Sequence, residues 1–327
     1  MAAIKQASKI KDKLADLVRD FLYRALGLSK LQRDLENHMT KQLDETLKRY
    51  FSFHHPITFR GDQILIHTVD NQRLFLDPRE LFMALHLLEH REWETHIRRL
   101  LRAVLTSGSI FVDVGANIGV HTLFAAALVG EHGKILALEP HPITRELLRN
   151  NLEINGFLDR TEIIAHAASH INDFVVPFDY FVEHPAMSGF KVAKERIKKF
   201  SGTLETIDVK TITLDTLLEN REFASVFIKI DVEGFEYDVL RGCERIMIDH
   251  HDVSVTIEYE KEVAESVMHP NVIHDIARFF ERHGFSAYRV HDKGLQSLTF
   301  GQLVEETGGD YFFARAQNVS RLKDMIV

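Results

Sequence analysis

A hydrophobic run, Phe111-Val112-Asp113-Val114, ends in Gly115-Ala116-Asn117-Ile118-Gly119 and passes without a break into an apolar segment reaching Val129. This succession requires a buried strand, a tight turn and a helix in immediate sequence. Glycines there permit positive φ and let the backbone come close to a bound nucleoside. The alternation continues beyond it. Strand-like runs at 110–114, 134–138 and 161–165 are separated by helical patterns reaching 129 and at 143–155, and such alternation with short loops means βαβ units and a parallel sheet. Further strands are expected at 207–212, 225–230, 253–257, 285–290 and 311–314, with helices from 214, at 235–247 and at 272–283. Between them lies a less regular, Phe-rich stretch at 171–204, which reads as a lid or an inserted hairpin beside the substrate.

The chain ahead of this region is different in kind. With 327 residues, 45% of them hydrophobic, the protein can bury a sizeable core and has room for about two domains. Residues 1–50 carry net +4 within a total of −8, leaving −12 for the rest. Leu14, Leu17, Val18, Phe21, Leu22 and Ala25 recur at helical spacing, and Ser29 with Gln32 begins a second helix. Short β-like runs at 57–60, 63–67 and 73–76 follow, separated by Gly61-Asp62 and Asp70-Asn71 turn signals. Helical patterns at 79–89 and 92–105 complete this part. The expected organisation is a helical arm at 1–55, a small β-meander with a connecting helix at 56–90, and a main domain at 91–327. A lone cysteine, Cys243, and the absence of a signal-like or membrane-spanning run point to a cytoplasmic protein. The acidic balance argues against a nucleic-acid partner.

The turn after the first strand is not a dinucleotide fingerprint. That pattern needs glycines at 115, 117 and 120, whereas Asn117 and Val120 occupy two of the three positions, so NAD and FAD are poor candidates. Twenty residues after Gly119, at the end of the next strand, stands Glu139, where a carboxylate can accept both ribose hydroxyls. Asp113, Asn117 and Glu139 are therefore expected to face one crevice. Period-two alternation places Lys229 and Asp231 on one face of strand 225–230, with Glu233 at the same edge. Glu236, in the first turn of the next helix, reads as a structural residue. His121 and His141 follow the two loops closely enough to face the crevice.

Phe111 to Gly119, Leu138-Glu139-Pro140, Asn151 to Gly156 and Ile228 to Glu236 together resemble the FkbM-type methyltransferases, which depend on S-adenosylmethionine. The resemblance covers about residues 90–316. It implies an α/β, Rossmann-like class I methyltransferase fold: a seven-stranded, mostly parallel sheet with helices on both faces and the last strand inserted antiparallel. It also implies methyl transfer, commonly to a hydroxyl of a sugar or polyketide-like acceptor. Carried onto this chain, Asp113, Gly115, Ala116, Asn117 and Gly119 would shape the methionine end of the cofactor and Glu139 would hold its ribose. Glu94 resembles an acidic position near the cofactor's ammonium. One departure is His170, which follows Ala168-Ser169 where the family often has an acid.

An acceptor hydroxyl needs a base or a cation to lower its pKa. Asp231 and Glu233 are the expected catalytic residues. With Glu258 they are also oxygen donors suited to Mg²⁺, but their spacing is no metal signature and no metal is expected. The expected partner is a small-molecule or glycan acceptor. The arm is expected to pack on the chain or form a homodimer rather than to touch a membrane surface. The competing reading is a non-catalytic scaffold that works through its N-terminal helices.

Overall fold

The computed structural model describes residues 58–61, 63–182, 184–189 and 203–327, together with residue 41. The helical arm, Phe190, Phe200 and the lysine-rich run between them lie outside the described residues. The chain divides into two compact units, with Trp93 in the first and Glu94 in the second.

In the first unit, β1 (Thr58–Arg60), β2 (Gln63–His67) and β3 (Arg73–Leu76) form an antiparallel meander. Arg60 pairs with Gln63 across the turn that follows β1. Helix α1 (Leu81–His90) follows and stops at Arg91, whose φ is +60°. The Arg91 guanidinium then donates to the carbonyls of His67 and Thr68, both at 2.7 Å, fastening the helix end to the meander.

The second unit opens with α2 (Thr95–Val104), β4 (Ile110–Val114) and α3 (Val120–Val129). These lead to β5 (Lys134–Leu138), α4 (Pro142–Ile154) and β6 (Thr161–Ile164). The short β7 (Ala167–Ala168), then β8 (Val175–Phe181), β9 (His184–Gly189) and β10 (Leu204–Ile212), build a separate sheet in the order β7-β10-β8-β9. The Phe-rich stretch thus supplies regular strands. Next come α5 (Leu214–Leu218), β11 (Val226–Ile230), α6 (Glu236–Arg241), α7 (Glu244–Asp249) and β12 (Val253–Glu260). The expected helix at 235–247 is broken at Gly242, where a Cβ would lie 2.1 Å from the Ser169 carbonyl oxygen, so the close approach of the two segments requires glycine there. Cys243, beyond the break, is fully buried and donates to the Leu240 carbonyl, a packing residue. Then follow α8 (Lys261–Val267), α9 (Val272–Arg282), β13 (Ser286–His291), β14 (Gly294–Leu298), α10 (Phe300–Leu303) and β15 (Gly308–Ala314), and after them the short α11 (Ala316–Val319) and a 3-10 helix (Ser320–Met325).

The main sheet has the order β14-β13-β15-β12-β11-β4-β5-β6. Strands β4 and β11 are buried at every residue, as expected of central parallel strands covered on both faces. β15 is inserted antiparallel between β12 and β13, as the resemblance implies. The sheet has eight strands among the described residues rather than the expected seven. The addition is β14, which folds back on β13 as an antiparallel edge hairpin. Its sequence, Gly294-Leu295-Gln296-Ser297-Leu298, lacks β-branched residues and so carries little strand signal. The strand order reverses between β4 and β11, and open α/β sheets bind ligands outside the carboxyl ends of the strands at such a point.

Candidate active site

The glycine turn is built against its own protein. The N–H groups of Gly115 and Ala116 both donate to the Leu138 carbonyl, at 3.1 and 3.0 Å, which ties the turn to the end of β5. A Cβ on Gly115 would fall 2.0 Å from the Asp231 carbonyl oxygen, and one on Gly119 would fall 2.4 Å from Leu148 Cδ1. Both glycines also have positive φ, +84° and +89°. The close approach that was expected to serve a nucleoside is therefore already used, at these two carbons, by β11 and α4. Asn151 reinforces the turn by donating its side-chain N–H to the Ile118 carbonyl at 2.8 Å.

Asn117, with φ +50°, presents its backbone N–H to Glu139 Oε2 at 2.9 Å, while His141 N–H donates to Glu139 Oε1 at 2.8 Å. Asn117 and Glu139 are thus brought together directly. Each carboxylate oxygen holds one backbone hydrogen bond and retains a lone pair for a second. Burial raises the Glu139 carboxyl to about 7, against the pull of those two N–H groups and Arg145. His141 is buried as the N-cap of α4, its Nδ1 next to Thr144 Oγ1 at 2.8 Å, and its ring lies 4.4 Å from that of Tyr180 on β8.

Across the switch point the site is made of charge. Lys229, 4% exposed, donates to Asp231 Oδ2 at 2.8 Å. Burial alone would lower the pKa of its ammonium, but the carboxylates of Asp231, Glu94 and Asp113 hold it above its ordinary value. Asp113, the register partner of Lys229, is 1% exposed. Its Oδ2 accepts from the Thr122 hydroxyl at 2.6 Å and its Oδ1 has no hydrogen-bond partner. Glu94 sits at φ +44° ahead of α2, a left-handed conformation that is strained for a side chain of this kind, and its Oε2 lies 2.8 Å from His121 Nε2. Burial works against the Glu94 charge, yet the His121 hydrogen bond and the charges of His121, Lys229 and His96 take its pKa down to about 2.

Beyond β11, the charges continue onto β12 and β15. Glu258, exposed on β12, has its carboxyl pushed above the usual carboxylate range chiefly by the charge of Asp231, with those of Glu94 and Asp310 adding to it. Glu258 is the register partner of Asp310, and Asp310 Oδ2 lies 2.7 Å from His96 Nε2. Sequence reasoning missed His96 and Asp310. An antiparallel strand begins at the edge where its parallel neighbours end, so a residue just before the expected strand 311–314 could have been assigned to this cluster.

Glu233 follows Asp231 by two residues. It has φ +57° in the turn after β11, and a Cβ on Gly189 of β9 would lie 3.9 Å from its own Cβ. Glu236 is buried and accepts from Gly234 N–H at 2.9 Å, bracing that turn, with burial raising its carboxyl to about 7. An acid of α6 stands beside Ser169 and His170. Asp238 accepts from the Ser169 hydroxyl at 2.7 Å and lies 2.5 Å from His170 Nδ1.

No group of three or more His, Cys, Asp or Glu residues among the described residues is placed to hold a metal ion. The residues do fit a cationic nucleoside. Glu139 offers free lone pairs at one end of the crevice, and the carboxyl groups of Glu94, Asp113, Asp231, Glu258 and Asp310 outnumber the Lys229 ammonium at the other.

The proteins similar to this chain are methyltransferases. Methyltransferase sdnD of Sordaria araneosa is 29% identical over 168 residues, 43% of this chain and 63% of that protein. A probable cobalt-precorrin-6B C(15)-methyltransferase (decarboxylating) of Sulfurisphaera tokodaii is 26% identical over 160 residues, 46% of this chain and 83% of its own. The 31-O-demethyl-FK506 methyltransferase FkbM of Streptomyces tacrolimicus is 27% identical over 185 residues, 46% of this chain and 68% of its own. The methyltransferase FkbM domain model matches residues 113–287, from the buried aspartate of β4 into β13 and across more than half of the chain, and the protein belongs to that family of methyltransferases.

Proposed function

We propose that the protein is an S-adenosylmethionine-dependent O-methyltransferase acting on a hydroxyl of a sugar, glycan or secondary metabolite. The observation that carries this reading is the Asn117–Glu139 pair at the switch point, which fixes a carboxylate with unused lone pairs where two ribose hydroxyls can donate. When bound, S-adenosylmethionine supplies an electrophilic methyl group on a sulfonium. The chain's own residues then do the positioning. Glu139 holds the ribose, the 115–119 turn shapes the methionine end, the Glu94 carboxylate attracts the ammonium, and Asp231, held by Lys229, orients the acceptor hydroxyl. The name of the FK506 relative supports an oxygen acceptor.

Titration calorimetry of the full-length protein with S-adenosylmethionine tests the reading. Binding is expected, and Glu139→Ala should weaken it by at least about tenfold, the loss of a charge-assisted hydrogen bond. Unchanged affinity in the variant would refute the ribose assignment. Mass spectrometry of glycans and metabolites from cells with and without the gene, searched for species differing by one methylene, identifies the acceptor.

A further inference from the structure

The edge that carries Asp231 also carries an imidazole–carboxylate pair that the cofactor half of the site does not use. His96, on the first turn of α2, sets its Nε2 2.7 Å from Asp310 Oδ2 at the start of β15. The order across the sheet places this pair. From the glycine turn on β4 it runs to Asp231 after β11, to Glu258 on β12 and to Asp310 on β15, so the pair lies on the side of Asp231 away from Glu139.

The other basic groups of the crevice are committed. Asp231 is occupied by the Lys229 ammonium at 2.8 Å. The His121 side chain is 8% exposed and its Nε2 is taken by Glu94. His96, whose Nε2 is likewise held by a carboxylate, differs in access. Its side chain is 23% exposed and therefore reachable, while the Asp310 side chain behind it is 16% exposed. Because a carboxylate accepts, Asp310 selects the tautomer with the proton on Nε2, leaving the Nδ1 lone pair outward. Nδ1 is 3.9 Å from Asp292 Oδ1, beyond hydrogen-bond reach, and Asp292 is in the turn after β13 at the same edge of the sheet. The groups acting on the imidazole all raise its basicity apart from burial. They are the Asp310 hydrogen bond and charge, then Glu94 and Asp292.

We infer that His96 is the catalytic base for the acceptor hydroxyl and that Asp310 is its positioning residue. This rests on the O-methyltransferase reading above. The acceptor O–H bond breaks and its proton goes to His96 Nδ1. The oxygen lone pair forms the new bond to the methyl carbon, and the electrons of the methyl–sulfur bond return to sulfur, leaving a neutral thioether. Asp310 stays ionised and stabilises the imidazolium.

The test uses full-length protein, methyl-tritiated S-adenosylmethionine, and the glycan and small-molecule extract of cells lacking the gene. His96→Gln should lower label transfer by at least about a hundredfold, the lower bound for removing a general base, with S-adenosylmethionine affinity by calorimetry within about threefold of wild type. Asp310→Asn should retain part of the rate and move the acid limb of the pH profile to lower pH, because the imidazole loses the anion that raises its pKa. Transfer by His96→Gln within about threefold of wild type would overturn the assignment. So would an acid limb that does not move in Asp310→Asn. Nitrogen-15 NMR titration of the ligand-free protein gives a check independent of turnover. His96 should show the Nε2–H tautomer and a midpoint above the usual value of about 6.5, falling in Asp310→Asn, and a midpoint at or below that value would overturn the proposal. Absence of transfer by the wild-type protein would instead count against the reading on which it rests.

Discussion

Gly115→Ala isolates what the first turn of the site is built on. Two costs arise there and can be separated. The residue has φ +84°, and an L side chain in the left-handed region costs about 1–2 kcal/mol. The new methyl would also lie 2.0 Å from the Asp231 carbonyl oxygen. That oxygen is backbone and cannot swing aside as a side-chain tip does. Relief requires the ends of β4 and β11 to part, against the Val114–Ile230 pairing and the Asp231 N–H bond to the Val114 carbonyl at 3.0 Å. Overpacking of this kind adds about 1–3 kcal/mol, for a total of about 2–5 kcal/mol. Gly108 is the control, since it has φ +89° and no atom within 4 Å of its added Cβ. Gly108→Ala should lose only the conformational part, about 1–2 kcal/mol. Urea denaturation of both variants beside wild type, with midpoints compared at a common slope, reads the difference. The Gly115 variant should also bind S-adenosylmethionine more weakly. Equal destabilisation of the two variants, within about 0.5 kcal/mol, would refute the argument that β11 rather than backbone conformation alone demands this glycine.

Glu139, raised to about 7 by burial, holds its proton more tightly when folded than when unfolded. Stability from this group is therefore present at acid pH and lost as pH rises from the ordinary carboxylate value through about 7, and Glu139→Gln should flatten that part of a stability-versus-pH curve. Ribose hydroxyls donating to Glu139 favour its ionised form, so calorimetry near pH 6 in buffers of different ionisation enthalpy should show proton release on S-adenosylmethionine binding, absent in Glu139→Gln. Thr122→Val removes the donor to Asp113 Oδ2, and a buried carboxylate that loses it should cost about 1–3 kcal/mol in urea denaturation, with Thr122→Ser close to wild type.

The half of the proposed site at β4 and β5 was legible because it is local. Gly115, Asn117 and Gly119 are contiguous, and Glu139 follows at the end of the next strand, so strand–turn–helix patterning alone brings them together. Its finer roles were not legible. Whether Gly115 spares room for a ligand or for β11 depends on the Asp231 carbonyl, which comes from more than a hundred residues downstream. The acceptor half is non-local throughout. Asp310 meets His96 only because β15 is antiparallel, and Asp238 reaches Ser169 and His170 from an element far along the chain. β14 was missed for a different reason. A glycine-led strand with two polar residues packs as a sheet edge through tertiary contact rather than through its own propensity.

The two halves of the crevice are held by different forces, and that difference bears on function. The nucleoside half is fixed by backbone hydrogen bonds, Gly115 and Ala116 to Leu138 and Asn117 to Glu139, so it is preorganised before any ligand arrives. The acceptor half concentrates charge in partial burial, which stability does not require. Well-packed apolar residues in place of a buried pair such as Lys229–Asp231 are often as stable or more so. What the excess of carboxylates provides is a negative potential at the edge where β11, β12 and β15 meet. On the proposed reading, a donor carrying a sulfonium enters that field with one more positive charge than the thioether that leaves it. The same carboxylates then favour capture of the donor over retention of the product, and the charged form of His96 that builds up during transfer is stabilised by them as well.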